Sequence, residues 1–120
     1  MTNSQEYVAS GMTSEFNFET ADAILNYSLA LRDDACNIDA LHGKARCLIL
    51  YIDEPERLKQ GLKIVDKLID IHKISDFSLY QLKAKFLWRL KEYQKALHWI
   101  EFTKSTFDEN EDPEKTIEET

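Results

Sequence analysis

Three histidines, two cysteines and three glycines are the residues of this chain whose types could do chemistry. His42 and Arg46 share a helical face at i and i+4, His72 falls at the end of a helical stretch, and His98 stands beside Leu97. A metal would need more company than this. There is no HExxH, no histidine with a cysteine two to four residues away, and no cluster of carboxylates. Cys47 lies five residues from His42, which is poor ligand geometry on a helix. His72, at a helix C-terminus, reads as a surface group favoured by the helix dipole. Gly11, Gly43 and Gly61 are isolated, so no glycine-rich loop can cradle a phosphate, and neither GxSxG nor a Cys-His nucleophile pair occurs. The chain is expected not to be an enzyme and to need no cofactor.

The whole composition points the same way. One hundred and twenty residues, 43% of them hydrophobic, suffice for one domain with its own core. Three glycines and two prolines favour long uninterrupted helices. No run of eighteen apolar residues occurs, so no membrane span is expected, and residues 1–10 lack the features of a secretory signal. Two cysteines without a CxxC suit a reducing compartment, the cytoplasm or the nucleus. The net charge of −7 is uneven: residues 1–107 hold 15 acids against 14 Lys or Arg, whereas 108–120 hold seven acids against Lys115 alone. Neither part has the basic footprint of a nucleic-acid binder.

The elements that must position these residues read as helices throughout. Residues 1–19 fit either a degenerate helix over about Ser4–Glu15 or a frayed arm, since Ser10, Gly11 and Thr13 weaken helix propensity. Thr20 is a candidate N-cap for a helix carrying Ile24, Tyr27 and Leu31. Asn37 can cap the next, about Ile38–Tyr51, with Leu41, Ala45, Leu48 and Ile52 on one face. Pro55 suits the first position of a fourth helix running to about His72. Asp76 can cap a fifth, about Phe77–Leu90. Lys91-Glu92 makes a tight corner into a sixth, about Tyr93–Thr106, presenting Tyr93, Ala96, Leu97, Ile100 and Phe107. No alternating β-branched stretch competes with this reading. Residues 108–120 are too charged and apolar-poor to offset their ordering entropy, and read as an acidic tail or the start of a further helix.

Lys44-Ala45-Arg46-Cys47-Leu48 returns as Lys83-Ala84-Lys85-Phe86-Leu87, thirty-nine positions on. With short corners between the helices, this recurrence predicts three antiparallel pairs, about 4–33, 37–73 and 76–107, stacked in register. Tyr80, Ala84 and Leu87, then Tyr93, Ala96 and Ile100, make the last pair resemble the tetratricopeptide repeat family. Leu41, Ala45, Leu48, Gly61, Val65 and Leu68 follow the pattern in the middle pair. Tyr7, Gly11, Ala23, Tyr27 and Ala30 follow it loosely in the first. The resemblance spans about residues 4–107 and implies an all-α fold, a short right-handed α-solenoid of helix pairs. Lys44 and Lys83 depart from it, standing where the family usually has Leu. The middle repeat is also longer than the family period of about thirty-four.

The resemblance further implies that the first helix of each pair lines a concave binding face. On this chain that ladder is Asp39, His42, Arg46 and Ile49, continued by Gln81, Lys85, Trp88 and Arg89. Arg46 and Lys85 would stand side by side about 10 Å apart, the spacing of packed helices. Trp88 beside Arg89 pairs a flat anchor with a carboxylate-binding fork, both residue types that recur in binding hot spots. The expected function is a protein–protein interaction module holding a peptide or helical segment with at least one acidic group. The family's chaperone-tail clamp is not expected, because Val8, Met12, Gly43, Ser78 and Leu82 stand at its positions. The alternative is a structural subunit or fragment of a larger helical array, with Trp99 and Phe102 among the apolar residues left for neighbours to cover. The acidic stretch 108–120 could also fold back onto Arg46, Lys85 and Arg89.

Overall fold

The computed structural model describes residues 3–72 and 77–107. They form six helices: α1 (Asn3–Phe16), α2 (Thr20–Asp33), α3 (Ile38–Leu48), α4 (Pro55–His72), α5 (Phe77–Arg89) and α6 (Tyr93–Phe107). No strand occurs among the described residues. The expected Asp76 cap and everything expected of residues 108–120 lie outside them, as do the side chains of His72 and Phe107.

Each helix packs on the next along the chain, and α1 also reaches α3. Three apolar clusters join them in succession. Val8, Ala23, Tyr27, Ala30, Ala40 and Cys47 tie α1 and α2 to α3. Ala45, Leu48, Leu58, Val65 and Phe86 tie α3 and α4 to α5, and Leu41, Leu68 and Leu79 pack beside them. Helix α3 is thus apolar on two sides, its Cys47 facing back and its Ala45 and Leu48 facing forward.

Aromatic rings set into glycines make these close approaches possible. The ring of Tyr27 lies against both Gly11 and Gly43; a methyl group at Gly11 would meet it at 2.7 Å, and one at Gly43 would collide with it outright. Phe86 fills the corresponding notch over Gly61. Both side chains are fully buried.

The helix ends differ from the predicted ones for identifiable reasons. Asn37 is the N-cap of α3, its side chain accepting the Ala40 amide at 3.1 Å. Thr20 is not a cap but the first residue of α2. Glu19 holds the cap position because its amide is already spent closing α1: it donates to Ser14 O at 2.8 Å, while Phe18 N donates to Glu15 O at 3.0 Å. Phe18 sits in the left-handed region at φ 62°, giving the two nested bonds of a Schellman motif. Lys91, at φ 66°, closes α5 by the same device, with Glu92 N donating to Leu87 O and Lys91 N to Trp88 O, both at 2.9 Å.

Helix α3 ends at Leu48 rather than Tyr51, because Leu50 N and Tyr51 N turn to Cys47 O and Leu48 O in tighter i→i+3 bonds. Ile52 therefore leaves the predicted apolar face and is 53% exposed. Helix α6 is rotated relative to expectation. Ala96 is buried, but Tyr93, Leu97 and Ile100 are all close to half exposed. The inward positions go to Trp99, Phe102 and Thr103 instead. Trp99 stacks on Tyr80 of α5 at 5.7 Å between centroids, and Phe102 tilts onto the same ring at 5.3 Å. These larger rings cover more apolar area than Leu97 and Ile100 could, which decides the rotation. Trp99 and Phe102 are accordingly partly buried against Tyr80 rather than fully exposed.

Candidate interaction groove

Helix α5 divides its side chains between two directions. Leu79 and Phe86 turn back into the clusters shared with α3 and α4. Phe77, Gln81, Ala84, Lys85, Trp88 and Arg89 turn the other way and, with Ile100, Thr103 and Lys104 of α6, line a groove of about 710 Å³. The Schellman corner at Lys91 brings the two helices together beside Trp88, whose ring meets Tyr93 edge-on at 4.7 Å. Trp88 nevertheless remains 56% exposed, a rigid aromatic wall at one end of the groove.

The electrostatics of the groove are one-sided. Lys85, Arg89 and Lys104 line it, with no carboxylate in the lining. None of the three has a carboxylate partner among the described residues. Lys83 is separately engaged, pairing with Asp66 at 2.7 Å and lying 4.3 Å over the Trp99 ring.

Comparing α5 with α3 at the thirty-nine-residue offset shows why this face is open. Ala45 and Ile49 belong to the cluster that contains Phe86 of α5, and Ile38 packs beside Leu79. Their counterparts Ala84, Trp88 and Phe77 line the groove. One face is covered by the next helix pair in α3. The same face in α5 meets α6 and no further described helix: Ala84 is buried there, while Trp88 stays 56% exposed.

The ladder expected from the sequence is therefore divided. Gln81, Lys85, Trp88 and Arg89 come together in the groove. Asp39 lies elsewhere, in a polar recess of about 730 Å³ with Asp33, Asp34 and Asn37. Ile49 packs into the core, and His42 is half-buried with contacts of its own.

Arg46 does not stand open beside Lys85. Its guanidinium donates through Nε to Glu15 Oε2 at 2.8 Å and through Nη2 to Oε1 at 3.0 Å. The hydroxyl of Tyr27 donates to that same Oε1 at 2.7 Å. Hydrogen bonding from Arg46 holds the Glu15 carboxyl below its ordinary value, against an opposing effect of burial. Arg46 is raised in turn by the same bond, and Tyr27 is pushed up by burial and then by Glu15. This linkage braces α1, α2 and α3 and has the character of a strut.

Phe77, Ala84, Ile100, Thr103 and Lys104 also line the groove, although sequence reasoning did not assign them to it. The available signal was the spacing of Ile100, Thr103 and Lys104, which places them on one face of α6 opposite Ala84. Among the described residues, no group of three or more His, Cys, Asp or Glu is placed to hold a metal ion, and no helix is long and apolar enough to cross a membrane. Comparison with family models, curated proteins and solved structures gives no match.

Proposed function

We propose that this chain is a protein-interaction module without catalytic activity, whose α5–α6 groove takes an acidic segment of another protein anchored by an apolar side chain. The observation that carries this reading is the contrast between equivalent faces: packed into the shared core in α3, only partly covered by α6 in α5, and there lined by Lys85, Arg89 and Lys104 beside an exposed Trp88. An uncovered aromatic beside arginine is the composition of a binding hot spot, and three cations without a carboxylate select for acidic groups. The helix pairs are read as a short right-handed stack of the tetratricopeptide type, working in the cytoplasm or nucleus. The free thiols Cys36 and Cys47 support that compartment.

Selecting binders from a displayed peptide library with the full chain tests the proposal. Enriched sequences should combine acids with an aromatic or aliphatic anchor, and binding should weaken as salt rises. The double variant Lys85→Glu, Arg89→Glu should lose these binders while keeping the helical signal and melting temperature. Enrichment of neutral or basic peptides, or their retention by the double variant, would overturn it.

A second reading has its own observation behind it. Leu97 and Ile100 on α6, and Phe16 and Phe18 at the α1–α2 corner, are all substantially exposed. Such residues suit a subunit whose ends are buried by neighbours in a larger helical assembly. Sedimentation of the purified chain decides: a monomer across a wide concentration range argues against self-assembly through these ends.

A further inference from the structure

The α5–α6 groove opens at the place where the chain leaves α6. Phe77 begins α5, and Thr103 and Lys104 stand in the last turns of α6, so all three mark the mouth nearest residue 108. Trp88 and Arg89 lie at the other end of α5, about 18 Å away at 1.5 Å per helical residue. Residues 108–120 can span that distance with about six residues at roughly 3.3 Å each. They carry seven acids against Lys115, and the groove presents Lys85, Arg89 and Lys104 with no carboxylate partner among the described residues. A segment joined directly to α6 meets the groove at an effective concentration on the order of millimolar, so modest attraction suffices to fill it.

We infer that the acidic segment 108–120 is the resident occupant of the α5–α6 groove, held by Lys85, Arg89 and Lys104, and that an external acidic segment must displace it. The displacement rests on the function proposed above, whereas the contact within the chain does not. The contact can therefore be measured with no partner present. Residues 108–120 supply few apolar side chains, chiefly Ile117, so the contact is mainly electrostatic and yields to salt.

A spin label on the full chain provides the test. Thr116→Cys in a Cys36→Ser background gives one reactive thiol, because Cys47 is buried and its thiol is pushed up to about 11, chiefly by burial. At low salt, the amide signals of Lys85 and Arg89 and the indole N–H of Trp88 should lose about half their intensity relative to the reduced label. The loss should vanish at 1 M salt, where the Debye length is about 3 Å. It should also vanish with Glu109→Lys, Glu111→Lys and Asp112→Lys. Signal loss absent from α5 and α6, or persisting at 1 M salt, overturns the inference. So does loss that appears when labelled and isotope-enriched chains are simply mixed, since the occupant is then a second copy.

Discussion

Arg46 and Glu15, thirty-one residues apart, are joined by two parallel hydrogen bonds, and the carboxylate they share also receives the hydroxyl of Tyr27. Three helices therefore meet at one carboxylate. A carboxyl held below its unfolded value adds stability above that value, and the gain is lost as pH falls through the folded value. Glu15→Gln should therefore weaken the protein by about 1 kcal/mol at pH 7, the scale of a partly exposed bidentate pair. Urea unfolding of wild type and variant should show the gap narrowing below the ordinary carboxylate range, near pH 4. A gap that stays constant into strong acid would show that the charge is not what matters.

Lys44 and Lys83 stand at equivalent places in successive pairs, yet their surroundings differ. Lys83 has Asp66 at 2.7 Å and the Trp99 ring beneath it. Lys44 is half-buried with no carboxylate partner among the described residues, and burial lowers its value. Lys44→Met should stabilise by about 0.5–1 kcal/mol by removing a poorly solvated charge. Lys83→Met should cost about 1 kcal/mol through the lost ion pair and cation–π contact. Equal shifts for the two variants in a thermal melt would contradict this distinction.

Gly43→Ala sets two effects against each other. Alanine favours a helix interior by about 1 kcal/mol over glycine. The added methyl, however, collides with the ring of Tyr27, which is buried and tied to Glu15, and over-packing of this kind costs roughly 1–3 kcal/mol. The collision should win by about 1 kcal/mol in chemical denaturation. In a Tyr27→Leu background the same change should become neutral or stabilising. If the penalty survives there, the notch is not its cause.

Phe18→Gly and Lys91→Gly should each stabilise by about 1 kcal/mol, because both positions adopt the left-handed conformation that a Cβ disfavours. Phe18 is 92% exposed, so little packing is lost with its ring. Differential scanning calorimetry would register a rise in melting temperature for each, and a fall would mean these side chains contribute contacts that outweigh the backbone relief.

Much of the architecture is legible in the residues themselves. Pro55 announces the start of α4, and Leu58, Val65 and Leu68 keep helical spacing along it, so its ends and buried face follow directly. The end of α3 is less accessible, because Ile49, Leu50 and Tyr51 continue an apolar run while the backbone tightens after Leu48. The face of α6 depends on Tyr80, thirteen or more residues earlier, whose ring selects Trp99 and Phe102 over Leu97 and Ile100. In the groove, Gln81, Lys85, Trp88 and Arg89 are the residues that the repeat resemblance implies for the inner face of α5. Arg46 belongs to the same pattern, but its partner Glu15 lies in the stretch with the weakest helical signal, and nothing local reveals the pairing.

The neighbour-to-neighbour packing of the helices bears on how the molecule forms and opens. Backbones come close between successive helices and otherwise between α1 and α3 among the described elements, so most loop closures are short. Folding rates of such local topologies fall in the microsecond to millisecond range. The same topology lets α5 and α6 come away from the stack without unravelling α1 to α3, an opening visible as faster amide exchange at that end. Whatever settles in the groove then acts as a latch on the last helix pair, slowing its exchange while leaving that of α1 and α2 unchanged.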